Sequence, residues 1–177
     1  DMNKSKVCVI TGSRAEYGLF FPIMKKIQAS DYLELKVVAT TMHFAEEFGS
    51  TYRQIEEDGF KIDEKLENLL SSDSKSSVVK SSGLAMILLA DTFSRIKPDI
   101  LLLIGDRFET LGAMIAASYQ NICIAHIQGG EVSYTNDEVA RHAMTKIAHY
   151  HFPATIRAAK FIEMMGENPQ SIFPFGC

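Results

Sequence analysis

The chain has no tryptophan, few prolines and only three cysteines, and what it lacks narrows its class. Cys8, Cys123 and Cys177 show no metal-ligand spacing. Cys8 and Cys123 stand inside apolar runs, so buried reduced thiols and a cytoplasmic setting are expected. There is no basic excess: 18 Lys and Arg against 22 Asp and Glu give a net charge of −4, which argues against a broad nucleic-acid surface. A small anion held by a few arginines remains compatible with that balance. No apolar run approaches the roughly 18 residues that span a bilayer. The opening Asp1-Met2-Asn3-Lys4 lacks the apolar stretch of a secretory signal, and Asp1 before Met2 reads as a cloning remnant. No membrane partner is expected. Internal repeats, linkers and low-complexity blocks are also missing, so 177 residues predict a single domain with a substantial core.

What is present is an alternation of strand and helix patterns. Lys6–Thr11 and Leu35–Thr40 read as buried strands, Lys61–Leu66 as a weaker one, and the ILLLI run at 100–104 as a central strand. Helical spacing runs through Tyr17–Gln28, Phe48–Asp58, Val78–Ile96, Phe108–Tyr119 and Glu138–His149. Ile122–Ile127, Tyr150–Pro153, Ile156–Met165 and Ile172–Phe175 complete the pattern. The serine-rich Leu70–Ser77 reads as a loop of the kind that lies over a site. Continuous apolar strands joined by helices predict an α/β fold: a Rossmann-like parallel sheet with helices on both faces. Such sheets bind ligands beyond the carboxyl ends of their strands.

Chemistry-bearing residues gather at those strand ends. After the first strand comes Gly12-Ser13-Arg14, neither GxGxxG nor a Walker A loop, so no dinucleotide cofactor is implied. A glycine turn, a helix start and Arg14 suit a phosphate, while an ordinary turn with a surface arginine is the plain alternative. The second strand leads to His43, which a structural role would equally explain. Asp106 and Arg107 follow the central strand, as catalytic and anion-binding candidates or as a local ion pair and helix cap. His126 and Gln128 share a face of the next strand, before Gly129-Gly130-Glu131. Thr135 and Glu138 have capping-box spacing. Asp137 and Arg141 lie four apart on one helix face, beside His142. The His149-x-His151 pair lacks a third ligand, and no metal is expected.

TGSRAEYG, GDRFE, HIQGGEVS and the D-E-x-x-RHAMTKIAHYHF stretch resemble the hydrolysing UDP-N-acetylglucosamine 2-epimerases of sialic-acid biosynthesis, from about Val7 to Cys177. The resemblance implies residues 1–177 as the N-terminal, Rossmann-like half of a two-domain enzyme with a GT-B-like fold, the second domain lying outside this chain. It implies elimination of UDP, hydration of 2-acetamidoglucal, and release of N-acetylmannosamine and UDP. By motif, Asp106, Gln128 and Asp137 fall on the acid–base positions, with His126 and Glu131 in the surrounding catalytic site. Arg14, His43, Arg107, Arg141 and His142 fall on the substrate-binding side. The departure is Gln128, where the family carries Glu or His: an amide cannot transfer a proton at neutral pH. The implied partners are a UDP-sugar and further copies of the full-length enzyme. The alternatives are the same reaction on UDP-2,4-diacetamido-2,4,6-trideoxyglucose, or an inactive binding or oligomerisation module.

Overall fold

The computed structural model describes residues 4–40, 43–44, 50–67 and 74–176. In chain order it builds β1 (Ser5–Thr11), α1 (Arg14–Gln28), β2 (Leu33–Thr40), α2 (Tyr52–Glu57), β3 (Glu64–Leu66), α3 (Lys75–Ile96), β4 (Ile100–Ile104), α4 (Phe108–Tyr119), β5 (Cys123–Ile127), α5 (Asn136–Ile147), β6 (Tyr150–Phe152) and α6 (Ile156–Met164). The six strands form one sheet in the order β3-β2-β1-β4-β5-β6, and every pairing is parallel. This is the α/β architecture that the apolar runs predict.

The two-residue period of the strands explains why those runs are continuous. Cys8, Ile10, Leu101 and Leu103 pack into one core with Leu89, Phe93 and Met114. Their alternates Val7, Val9, Leu102 and Ile104 pack into the other with Phe20, Met24 and Ile55. Both faces of β1 and β4 are therefore dry, as a parallel sheet requires. The strand order reverses between β1 and β4, which puts the crevice between their carboxyl ends. Among the described residues no helix is long and apolar enough to cross a membrane.

Several boundaries differ from the sequence reading for identifiable reasons. Helix α1 starts at Arg14, three residues early, because Ser13 caps it: its Oγ accepts the Glu16 amide at 3.3 Å. Helix α3 starts at Lys75 because Ser74 caps it in the same way, through the Ser77 amide at 3.2 Å. The serine-rich stretch thus opens a helix from Ser74 onward, and its residues 70–73 lie outside the described residues. The predicted start of the second helix at Phe48 also falls outside them; the described part, α2, is the shorter Tyr52–Glu57. Helix α5 ends at Ile147, since the His149 amide leaves the helix to bond the Ile124 carbonyl of β5 at 2.8 Å. Ile172–Phe175 adds only a single parallel bridge, between His151 and Ile172.

Candidate active site

The turn from β1 into α1 is organised by a carboxylate. Glu16 Oε2 accepts the Gly12 amide at 2.7 Å while its own amide bonds Ser13, a reciprocal cap closely related to the capping box. The cap leaves Arg14 at the first helical position with an exposed side chain. Across the crevice, Arg107 precedes α4. Its guanidinium donates to both carboxylate oxygens of buried Glu109, at 3.3 and 3.2 Å, and its Nε lies 3.9 Å from Glu16 Oε1. Gly12, Glu16, Thr40, Arg107 and Glu109 line a small cleft, with room for about 20 Å³, beside the carboxyl ends of β1 and β4. Burial pushes the Glu16 carboxyl above its usual range, against the opposing pull of the Gly12 amide and Arg107.

One strand over, Gly105 takes a left-handed φ of 82° and turns the chain so that Asp106 meets Arg141 of α5. Arg141 donates from Nε to Asp106 Oδ2 at 3.0 Å, and its terminal nitrogen makes a second, shorter bond to the same oxygen. Its other terminal nitrogen bonds the Glu131 carbonyl at 2.5 Å, and Ser133 Oγ stands 3.4 Å from both. Arg141 is only 7% exposed, so this full set of partners is what makes burying a guanidinium tolerable. The pair ties three elements together: the β4–α4 turn, the β5–α5 loop and α5.

His126 supports that turn from below. Its ring is fully buried and Nε2 lies 2.7 Å from the Gly105 carbonyl. A carbonyl only accepts, so Nε2 carries the proton and Nδ1 holds a lone pair. Among the described residues Nδ1 has no hydrogen-bond partner, and Gly129 packs so closely that a Cβ there would stand 3.1 Å from it. Burial lowers the His126 pKa to about 4, which keeps the ring neutral. Gln128 follows in a left-handed conformation with φ 65°, its amide bonded to the Phe152 carbonyl at 3.0 Å. The Glu131 carboxylate receives the Thr155 hydroxyl at 3.4 Å.

Asp137 is exposed in the first turn of α5. Arg141, one helical turn on, faces Asp106, so the local Asp137–Arg141 pair open to the sequence is replaced by a pair between elements. Thr135 makes no side-chain cap. Glu138 instead reaches back to the Ser133 and Tyr134 amides, both at 2.6 Å, and those bonds hold its carboxyl below the usual range. His142 Nε2 lies 3.6 Å from Glu138. His43 is fully buried between two hydroxyls, Thr11 Oγ1 at 2.9 Å from Nε2 and Thr51 Oγ1 at 2.7 Å from Nδ1. Burial lowers its pKa to about 4.

Asp106, His126, Glu131 and Arg141 are thus joined by contacts at the carboxyl edge, and Arg107 faces Glu16 in the adjoining cleft. Arg14 and Asp137 stand exposed at the starts of their helices, and His43 lies beneath the edge. Glu16, Glu109 and Ser133 were not singled out from the sequence. For Glu16 a signal was there: S-R-A-E has capping-box spacing.

The UDP-N-acetylglucosamine 2-epimerase family profile matches residues 25–177. The chain is 38% identical over 171 residues to a UDP-N,N'-diacetylbacillosamine 2-epimerase (hydrolyzing) of Legionella pneumophila, covering 97% of this chain and 45% of that protein. It is 35% identical to a GDP/UDP-N,N'-diacetylbacillosamine 2-epimerase (hydrolyzing) of Campylobacter jejuni, over 99% of this chain and 46% of that protein. A crystal structure of UDP-GlcNAc 2-epimerase from Neisseria meningitidis bound to UDP-GlcNAc superimposes with a TM-score of 0.83 at 24% identity, over 95% of this chain and 45% of that one. The chain spans just under half the length of the curated relatives it matches. A profile match over most of the chain, carried by the same parallel α/β fold, shows that this chain belongs to the UDP-N-acetylglucosamine 2-epimerase family.

Proposed function

We propose that this chain is the first, Rossmann-like half of a cytoplasmic, homo-oligomeric hydrolysing 2-epimerase acting on a UDP-linked 2-acetamido sugar. The observation that carries the reading is Asp106, held by buried Arg141 at the carboxyl edge of the sheet in a chain of this family. In the proposed reaction a base takes the proton from C2 while the C1–O bond to UDP breaks, leaving a 2-acetamidoglucal. Water then adds its hydroxyl to C1, and an acid returns a proton to C2 on the opposite face. The products are the free 2-epimer and UDP. Asp106 and Asp137 supply the proton transfers, and Gln128 orients the sugar or a carboxylate by hydrogen bonds. Arg14 and Arg107 take the diphosphate, since guanidinium stays charged and forks onto phosphate oxygens. His126, neutral and bonded to the Gly105 carbonyl, fixes the turn that aims Asp106. Glu131, Arg141 and His142 shape the pocket, and His43 sets the floor beneath it.

Identity favours one sugar. The two diacetylbacillosamine enzymes stand at 38% and 35%, against 29% for a Neisseria meningitidis UDP-N-acetylglucosamine 2-epimerase. UDP-N,N'-diacetylbacillosamine, a 2,4-diacetamido-2,4,6-trideoxyglucose, is therefore the proposed substrate, with UDP-N-acetylglucosamine as the second. Release of UDP and free sugar from each, by the 177-residue chain and by a version extended to the length of its relatives, tests this. The extended protein should turn over the diacetamido sugar faster and the short chain hardly at all, because positioning and water exclusion need an opposing domain. Comparable turnover by both would overturn the two-half reading, and faster turnover of UDP-N-acetylglucosamine would reverse the choice of sugar.

A further inference from the structure

The mouth of the β1–β4 crevice already holds an anion of its own. The Glu16 carboxylate takes the Gly12 amide through Oε2 at 2.7 Å and faces the Arg107 guanidinium through Oε1 at 3.9 Å. A glycine amide at a helix start and an arginine across the crevice are the donors that the proposed reading offers to a diphosphate. One carboxylate thus spans both. Glu109 differs in kind. It grips Arg107 with two hydrogen bonds, at 3.3 and 3.2 Å, and its side chain is 9% exposed against 15% for Glu16.

We propose that Glu16 is a placeholder that a ligand phosphate displaces from Gly12 and Arg107, and that Glu109 is the positioning residue that keeps Arg107 aimed at the crevice throughout. The inference rests on the assignment of Arg107 to the diphosphate. Geometry separates the two carboxylates: a single long contact to Arg107 can be surrendered, whereas a two-bond fork on a buried carboxylate is held. Burial, which pushes the Glu16 carboxyl up, works in the same direction by weakening the charged form. In the resting state Glu16 shields the crevice charge. With ligand bound, its negative charge becomes a repulsive neighbour that sharpens the demand for a doubly anchored phosphate over a lone anion.

The test is calorimetric titration of UDP and of inorganic phosphate into the protein extended to the length of its relatives, as wild type, Glu16→Gln and Glu109→Gln, with thermal melts confirming that each variant folds. Glutamine keeps an oxygen for the Gly12 amide while removing the charge, so Glu16→Gln should bind UDP about tenfold more tightly, and inorganic phosphate should gain proportionately more. Glu109→Gln should bind UDP about tenfold more weakly, because Arg107 loses its fork. Glu109→Asp, which retains the charge, should recover part of the loss. Unchanged or weakened UDP binding by Glu16→Gln overturns the placeholder. Unchanged binding by Glu109→Gln overturns the positioning role. Wild type that fails to bind UDP at all would instead overturn the functional reading on which both depend.

Discussion

Asp106 and Asp137 carry the same carboxylate in opposite settings. Asp106 is locked to a buried arginine that also ties down Glu131 and Ser133, whereas Asp137 stands in water on the first turn of α5. Substituting them separates chemistry from folding. Asp137→Asn should leave the melting temperature unchanged and still cost turnover, since positioned acid–base groups contribute about 10²–10⁴-fold. Asp106→Asn should cost turnover on the same scale and also lower stability, because it strips the counter-charge from buried Arg141. Gln128→Ala should cost about fivefold, the worth of a neutral hydrogen bond, and Gln128→Glu should keep or raise the rate. Turnover of the four variants in the extended protein checks this: a Gln128→Ala loss as large as the aspartate losses would refute the assignment of roles. At this scale the sequence marked which residues lie at the edge, because strand ends are legible from apolar runs. It could not say whom they touch. The Asp106–Arg141 pair joins residues far apart in the chain, and a four-residue helical spacing pointed Arg141 toward Asp137 instead.

The elements were legible where periodicity is long and less so at their ends. The ILLLI strand and the helix over 108–119 have the boundaries the pattern predicts, since both are bounded by turn residues and carry most of their length in the core. Starts set by serine caps came earlier than the apolar pattern did, because a cap lies ahead of the first buried residue. The glycine pair after β5 shows what a loop can hide. Gly130 has φ 81°, and a Cβ on it would stand 2.4 Å from the Ala158 carbonyl oxygen and 2.8 Å from Ile162 of α6. Its job is to let the β5–α5 loop lie directly on α6 rather than to approach a ligand. Gly130→Ala should therefore destabilise by about 3 kcal/mol or more, combining backbone strain with a clash against main chain that cannot swing away. Gly18, inside α1 with nothing among the described residues within 4 Å of a Cβ, is the contrasting case. Gly18→Ala should stabilise by about 0.5–1 kcal/mol. Thermal or urea melts of the two variants give the comparison, and a Gly130→Ala protein that melts like wild type would refute the packing argument.

For the whole molecule, the strand order follows from what each strand must bury. β1 and β4 are covered on both faces and take the centre, while the short β3 and β6 take the edges. Apolar content forecast that two-sided sheet, but not the neutral histidines buried within it and beneath its edge. His43 and His126 are fully buried with pKa values lowered by burial to about 4. In the unfolded chain each titrates near its ordinary value of about 6.5. Below that value the unfolded state binds protons that the folded state refuses. The stabilisation is thus complete above about pH 6.5 and is lost as pH falls from there toward 4. Between pH 7 and 5 the loss should be on the order of 2 kcal/mol for each ring. Buried His151 shifts in the same direction, opposed in part by Glu167. Glu16 runs the other way: its raised carboxyl favours folding at low pH and loses that contribution as pH rises past its unfolded value. One carboxyl of opposite sign does not outweigh several buried rings, so urea midpoints should fall steadily on acidification from pH 7 to 5. Acid also protonates carboxylates across the surface, so the slope must be traced to a named ring. His43→Asn removes one titrating group and keeps polar atoms for its hydroxyl neighbours. It should lower stability at pH 7 and flatten the pH slope. A wild-type protein whose stability holds constant or rises between pH 7 and 5 would refute the neutral-histidine account. So would a His43→Asn variant with the full wild-type slope.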